Sequence, residues 1–142
     1  MTQTIFRTFR HVSRYEKGIQ EPVESIALGS GSCRDLAVLM IAALRSRGVA
    51  ARFVSGYIHL SEDEREPHSL SGGNMHAWAQ AFIPGPGWVD LDPSAGTTGN
   101  KNLARVAVGS HPNETIPLQG TWYGQASDHL AMTVAVRMNL AG

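Results

Sequence analysis

The chain has a single cysteine in 142 residues, which excludes an intrachain disulfide and leaves one thiol to account for. It also lacks a charge surplus, since 12 Lys and Arg balance 12 Asp and Glu. No field of one sign would gather nucleic acid or anionic lipid, so neither is expected as a partner. No apolar run is long enough to span a bilayer. Residues 1–7 lack the charged head and apolar stretch of an export signal, so a reducing, cytoplasmic setting without membrane association is expected. There are no repeats and no low-complexity segments. None of the six histidines pair at His-x-x-x-His spacing and there is no second thiol, so no metal is expected. An acidic loop with a central glycine, of the kind that binds calcium, is also missing. No cofactor is expected.

What is present suits one soluble domain over residues 1–142, with 42% hydrophobic and 17% charged residues. Ile5, Phe9 and Val12 stand at helical spacing, which predicts a helix over roughly 3–14. Arg7, Arg10, Arg14 and Lys17 then read as its solvated face and beyond. Pro22 opens and Gly29 closes a short second helix. Leu36, Leu39, Met40, Ala43 and Leu44 form the apolar stripe of a third, stopped by Gly48. After Gly48 the period changes to that of strands over 52–60, 75–83 and 88–91, with weaker strands over 103–109 and 115–122. A final strand is expected over 132–138. Residues 61–74 are polar and punctuated and read as a mobile loop leading to a site. Helices first and strands later predict an α+β fold with a mostly antiparallel sheet.

The thiol falls where chemistry favours it. Ser32 is a plausible N-cap with Asp35 three residues on, a capping box with Asp in place of Glu. Cys33 then takes the first helical position, where free N–H groups and the dipole favour thiolate and could hold an oxyanion. Gly29, Ser30, Gly31 and Ser32 are small enough to let a substrate approach. The competing reading is an inert, buried cysteine. His76 heads a strand in which Trp78, Gln80 and Phe82 share its face, while Ala77, Ala79 and Ala81 form a smooth face suited to close packing on the third helix. Asp92 reaches His76 only if the hairpin loop is odd in length. A three-residue loop at 84–86 pairs 83 with 87 and sets Asp92 beside residue 78, diagonal to His76. Asp90 has the same parity and is the alternative. Trp78 and Trp88 read as packing aromatics that could shield a His–Asp bond.

Four blocks occur in one order: Gly31-Ser32-Cys33-Arg34-Asp35, then Arg47-Gly48-Val49-Ala50-Ala51-Arg52-Phe53-Val54-Ser55-Gly56-Tyr57, then His76-Ala77-Trp78, then Gly87-Trp88 with Asp92-Pro93-Ser94. Together they resemble the transglutaminase-like superfamily, in particular its bacterial branch of candidate cysteine proteases. Residues 127–134 resemble that branch's last strand. The resemblance implies a papain-like α+β fold, with Cys33 as nucleophile, His76 as base and Asp92 orienting the histidine. It also implies that the family's β-rich N-terminal region is missing from this chain. Gln80 stands where an acid is common and Ser94 where Thr is common, neither being expected to touch the three. The implied activity is acyl transfer on a peptide or protein amide through a thioester, by hydrolysis, with amine transfer or an inactive binding module as alternatives. Arylamine acetyl transfer fits poorly, because Ser30-Gly31-Ser32 replaces the Arg-Gly-Gly of that family.

Overall fold

The structure is a computed structural model that describes residues 1–14, 16–59, 73–99, 102–116, 120–121 and 123–128. Three helices precede the main sheet: α1 (Thr2–Thr8), α2 (Pro22–Leu28) and α3 (Cys33–Arg45). Two short strands, β1 (Arg10–His11) and β2 (Ser30–Gly31), pair in parallel between them. The main sheet comprises β3 (Ala51–His59), β4 (Gly73–Ile83), β5 (Gly87–Asp92), β6 (Thr97–Thr98) and β7 (Leu103–Gly109). Its order is β6-β5-β4-β3-β7, antiparallel throughout. The α+β class and the antiparallel sheet are as expected from the sequence.

The first helix is shorter than its periodicity predicts. Phe9 turns to extended backbone at φ −108° and ψ 137°. Arg10 N–H then donates to Gly29 O at 2.9 Å and Val12 N–H to Gly31 O at 3.0 Å. Pairing with a segment twenty residues away outcompetes continuation of a helix that has few buried residues. Arg14 also departs from its reading as a solvated cation. Its Nη1 lies 2.8 Å from both carboxylate oxygens of Asp35.

The later helices follow their local signals. In α2, Pro22 sits in the first turn and Gly29 caps the end in the left-handed region. In α3, Leu36, Ala37, Leu39, Met40 and Ile41 are buried. Of these, Leu36, Ala37, Met40 and Ile41 pack with Ile5, Ala51, Phe53, Ala77 and Ala79 in one core. The alanine face of β4 therefore meets the helix as anticipated, and removing the Leu36 side chain would cost about 2–5 kcal/mol.

The hairpin of β4 and β5 has the odd loop that the parity argument requires. Ile83 pairs with Gly87 across residues 84–86, and the ladder continues to Ala79 with Leu91. Asp92 comes one step further, in line with Trp78. The start of the strand expected over 115–122 differs. Residues 112–115 form a 3-10 turn in which Thr115 Oγ1 donates to Pro112 O at 3.0 Å. Proline and local side-chain bonding there favour a turn over a sheet partner. Gly73 and Asn74 belong to β4 rather than to the loop. The remainder of that loop, residues 117–119 and 122 of the strand expected over 115–122, and the expected strand over 132–138 lie outside the described residues.

Candidate active site

Ser32 and Asp35 form the capping box at the start of α3. Ser32 N–H and Oγ donate to Asp35 Oδ2 at 2.8 and 2.7 Å. Gln20 N–H donates to Oδ1 at 2.8 Å, and Arg14 supplies the countercharge. The Asp35 side chain has no solvent exposure. Burial alone would raise its pKa, but the Arg14, Gln20 and Ser32 hydrogen bonds hold it below the ordinary carboxylate value. This knot fixes the first turn of α3 and with it Cys33. Gly31 serves the same knot. A Cβ there would stand 2.9 Å from Asp35 Cβ, so this glycine admits a carboxylate rather than a substrate.

Cys33 is partly buried at the first helical position. Burial opposes ionisation of its thiol. Hydrogen bonds from the His11 and His76 side chains, the His76 charge and the Ala77 backbone N–H outweigh it, lowering the pKa from 9.0 to about 6. His76 Nε2 lies 2.7 Å from Asp92 Oδ2, which leaves Nδ1 for the sulfur. Burial opposes charging of this imidazole, and its bonds to Asp92 and then Cys33 prevail, raising its pKa from 6.5 to about 9. Between those two values thiolate and imidazolium coexist.

Asp92 is 1% exposed. Its second oxygen accepts from Ser94 N–H at 2.9 Å, Ser94 Oγ at 2.7 Å and Ala95 N–H at 3.2 Å. Burial would raise its pKa; His76, Ser94 and Ala95 bring it below the ordinary value. Ser94 thus touches the carboxylate, contrary to expectation, because the Asp-Pro turn folds its side chain back over two residues.

Asp90, the alternative orienter, is engaged elsewhere. Its Oδ1 accepts from Trp78 Nε1 and Gln80 Nε2, both at 2.7 Å. Gln80 in turn accepts from Arg52 Nε at 2.8 Å. Arg52 lies 4.0 Å above the Trp88 ring, and Phe82 meets Trp88 edge-on. Trp78 is fully buried and stacks against His76 at 6.2 Å. Asp90 therefore fixes the indole that backs the imidazole through a part-buried hydrogen bond that satisfies the indole N–H.

The three residues singled out in the sequence come together. His11 was not legible there, since it reaches the sulfur only through the β1–β2 pairing. Among the described residues no cluster of His, Cys, Asp or Glu could hold a metal ion, and no helix is long and apolar enough to cross a membrane.

The chain is similar to known proteins in sequence and in structure. An uncharacterised Mycobacterium leprae protein is 33% identical over 106 residues, which is 75% of this chain and 37% of that protein. A Mycobacterium tuberculosis protein is 33% identical over 104 residues, 70% of this chain and 33% of that one. The chain thus spans about a third of these relatives' length. A candidate cysteine protease from Cytophaga hutchinsonii matches in structure with a TM-score of 0.63 and 25% identity, over 80% of this chain and 35% of that one. Calcium-bound LapG of Legionella pneumophila matches with a TM-score of 0.56 over 76% of this chain and 61% of its own. At 18% identity that likeness speaks for the papain-like fold alone. The sequence model of the transglutaminase-like superfamily matches residues 1–93, a span that takes in Cys33, His76 and Asp92, and the chain belongs to that superfamily.

Proposed function

We propose that the chain is a cysteine-dependent acyl-transfer enzyme that cleaves amide or peptide bonds, with Cys33 as nucleophile, His76 as base and Asp92 as the group that orients it. The observation that carries this reading is the pairing of a thiol brought to about 6 with an imidazole brought to about 9 and bound to a buried carboxylate. The Cytophaga relative's description as a candidate cysteine protease supports the same reaction class.

The thiolate lone pair attacks the carbonyl carbon, a C–S bond forms, and the carbonyl π pair moves onto oxygen. When the carbonyl reforms, the C–N bond breaks and the amine leaves with a proton from His76. Asp92 holds the imidazole in the orientation that serves both steps. Water, deprotonated by His76, then opens the thioester and returns the thiol. Cys33 is only partly buried and His11 beside it is exposed. Water therefore has access to the thioester, which favours hydrolysis over transfer to an amine.

Acid-quenched mixtures of the chain with peptide, glutamine and isopeptide donors, read by mass spectrometry, test this. The expected result is an acyl adduct on Cys33 that decays in water and is missing from His76→Ala. No adduct in the wild type across the panel would contradict the proposal.

A further inference from the structure

We propose that Asp90 is a positioning residue for the base, setting the plane of the His76 ring through the Trp78 indole. The assignment rests on the acyl-transfer reading above and adds a residue to it.

The task arises from how His76 is held. Asp92 binds Nε2 at 2.7 Å, which fixes one atom of the imidazole and leaves the ring free to tilt about it. Proton delivery requires the whole ring to be placed, because the nitrogen that serves the sulfur must also reach the departing amine. The Trp78 indole limits the tilt. Its ring stands 6.2 Å from the imidazole, with the two planes 25° apart. An indole sets that plane only if its own ring is fixed.

Neighbouring rungs of the sheet fix it at both ends. Gly56 pairs with His76, Val54 with Trp78 and Arg52 with Gln80 across β3 and β4. Gln80 also pairs with Asp90 across β4 and β5. The indole spans three of these rungs. Its Cη2 leans over Gly56, the partner of His76, where a Cβ would stand 2.9 Å from it. Its Nε1 reaches back to the Gln80 rung and donates to Asp90 Oδ1 at 2.7 Å. The same oxygen accepts from Gln80 Nε2 at 2.7 Å, and Gln80 Oε1 accepts from Arg52 Nε at 2.8 Å. One polar rung, Arg52–Gln80–Asp90, therefore crosses three strands and ends on the indole. Trp78 and Gln80 have no solvent exposure. A turned indole would lose its acceptor and gain no water in exchange. Asp92 thus holds the imidazole by an atom, and Asp90 holds it by its plane.

Two donors that carry the same acyl group separate this role from a mere effect on stability or on the thiol. They are N-acetylglycine p-nitroanilide and N-acetylglycine p-nitrophenyl ester. In each, the sulfur forms a bond to the carbonyl carbon and the bond to the leaving group breaks. p-Nitroaniline leaves with a proton from His76, whereas p-nitrophenolate leaves as the anion. Both donors meet the same thiolate, so the ratio of amide to ester acylation cancels changes in thiol ionisation and reports proton delivery. It is measured below the thermal transition of each variant. Asp90→Ala is expected to lower the ratio by about 10–100-fold, the effect of misplacing a reacting group by about 1 Å. Asp90→Asn keeps an acceptor oxygen and should restore most of the ratio. Trp78→Phe keeps a ring and removes the N–H, and should lower the ratio likewise. In that background Asp90→Ala should lower it no further, because the bond through which Asp90 acts is already gone. A ratio unchanged in Asp90→Ala, or the same fall in both backgrounds, would overturn the Asp90 assignment alone. A wild type that releases p-nitrophenolate no faster than Cys33→Ala would overturn the acyl-transfer reading and this assignment with it.

Discussion

His76 Nε2 and Asp92 Oδ2 lie 2.7 Å apart although the residues are on neighbouring strands and sixteen positions apart. A three-residue loop makes the contact possible. One residue more or fewer in that loop would turn Asp92 to the other face of the sheet. The turn after β5 then presses three further hydrogen bonds onto the second carboxylate oxygen, so the carboxylate is held from both ends.

Asp92→Asn keeps the size of the side chain and removes its charge. Asp92 is the strongest of the groups that raise the His76 pKa. The imidazole should therefore titrate well below about 9 in the variant, as read by NMR of the ring protons. Acylation should fall by up to about 10⁴-fold, because an amide favours the wrong tautomer. An unchanged His76 titration would contradict the role given to Asp92.

The pH dependence of acyl transfer follows from the two shifts. The thiol is ionised above about 6 and the imidazole is charged below about 9. The rate with an amide donor should rise through the first value and fall through the second, the two apparent values belonging to the pair. A p-nitrophenyl ester needs no proton for its leaving group, so its acylation should lose the high-pH limb. An amide profile with no fall at high pH would argue against His76 as the acid.

Asp35→Ala removes one partner of a buried ion pair, leaves Arg14 Nη1 and the Ser32 and Gln20 N–H groups without their acceptor, and leaves Arg14 only Glu16, at 3.6 Å. The loss should be about 3 kcal/mol in urea unfolding, the low end of such changes because Arg14 keeps some solvent exposure. The folded-state pKa of Asp35 lies below its ordinary 3.8. Its contribution is therefore present above that value and lost as pH falls from there towards the folded pKa. Wild type and variant should converge in stability in that acid range. A gap that persists there would contradict the ion-pair account.

Gly56→Ala should disrupt the junction of β3 and β7. The register shifts between Ser55 and Gly56, and a Cβ at 56 would stand 2.1 Å from Ala104 O and 2.9 Å from the Trp78 ring. A backbone oxygen cannot give way as a side chain can. Thermal unfolding should report a loss of about 3 kcal/mol or more, with changed tryptophan fluorescence because Trp78 must move. A variant as stable as wild type would contradict the close approach.

The elements legible in the sequence are those set by local chemistry. Pro22 and Gly29 bracket α2. Ser32 and Asp35 start α3, and the apolar stripe from Leu36 carries it on to the core. Alternation in β4 and the odd loop at 84–86 fix which residues share the His76 face. Features made by distant pairing were not legible. The end of α1 at Thr8 depends on Arg10 and His11 finding Ser30 and Gly31. Arg14 reads as a surface cation until Asp35 is seen buried beside it. Asp90 and Asp92 have the same parity, and only the partners of each, Trp78 and Gln80 for one, His76 and Ser94 for the other, separate them. His11 carries no local signal for its place at the sulfur.

Alkylation of Cys33 by iodoacetamide across pH, in wild type and in His76→Ala, bears most directly on the proposed nucleophile. The account predicts a wild-type profile with its midpoint near 6, moving upward when the imidazole is removed. A wild-type midpoint near the ordinary thiol value of about 8.5, unmoved by the substitution, would contradict it.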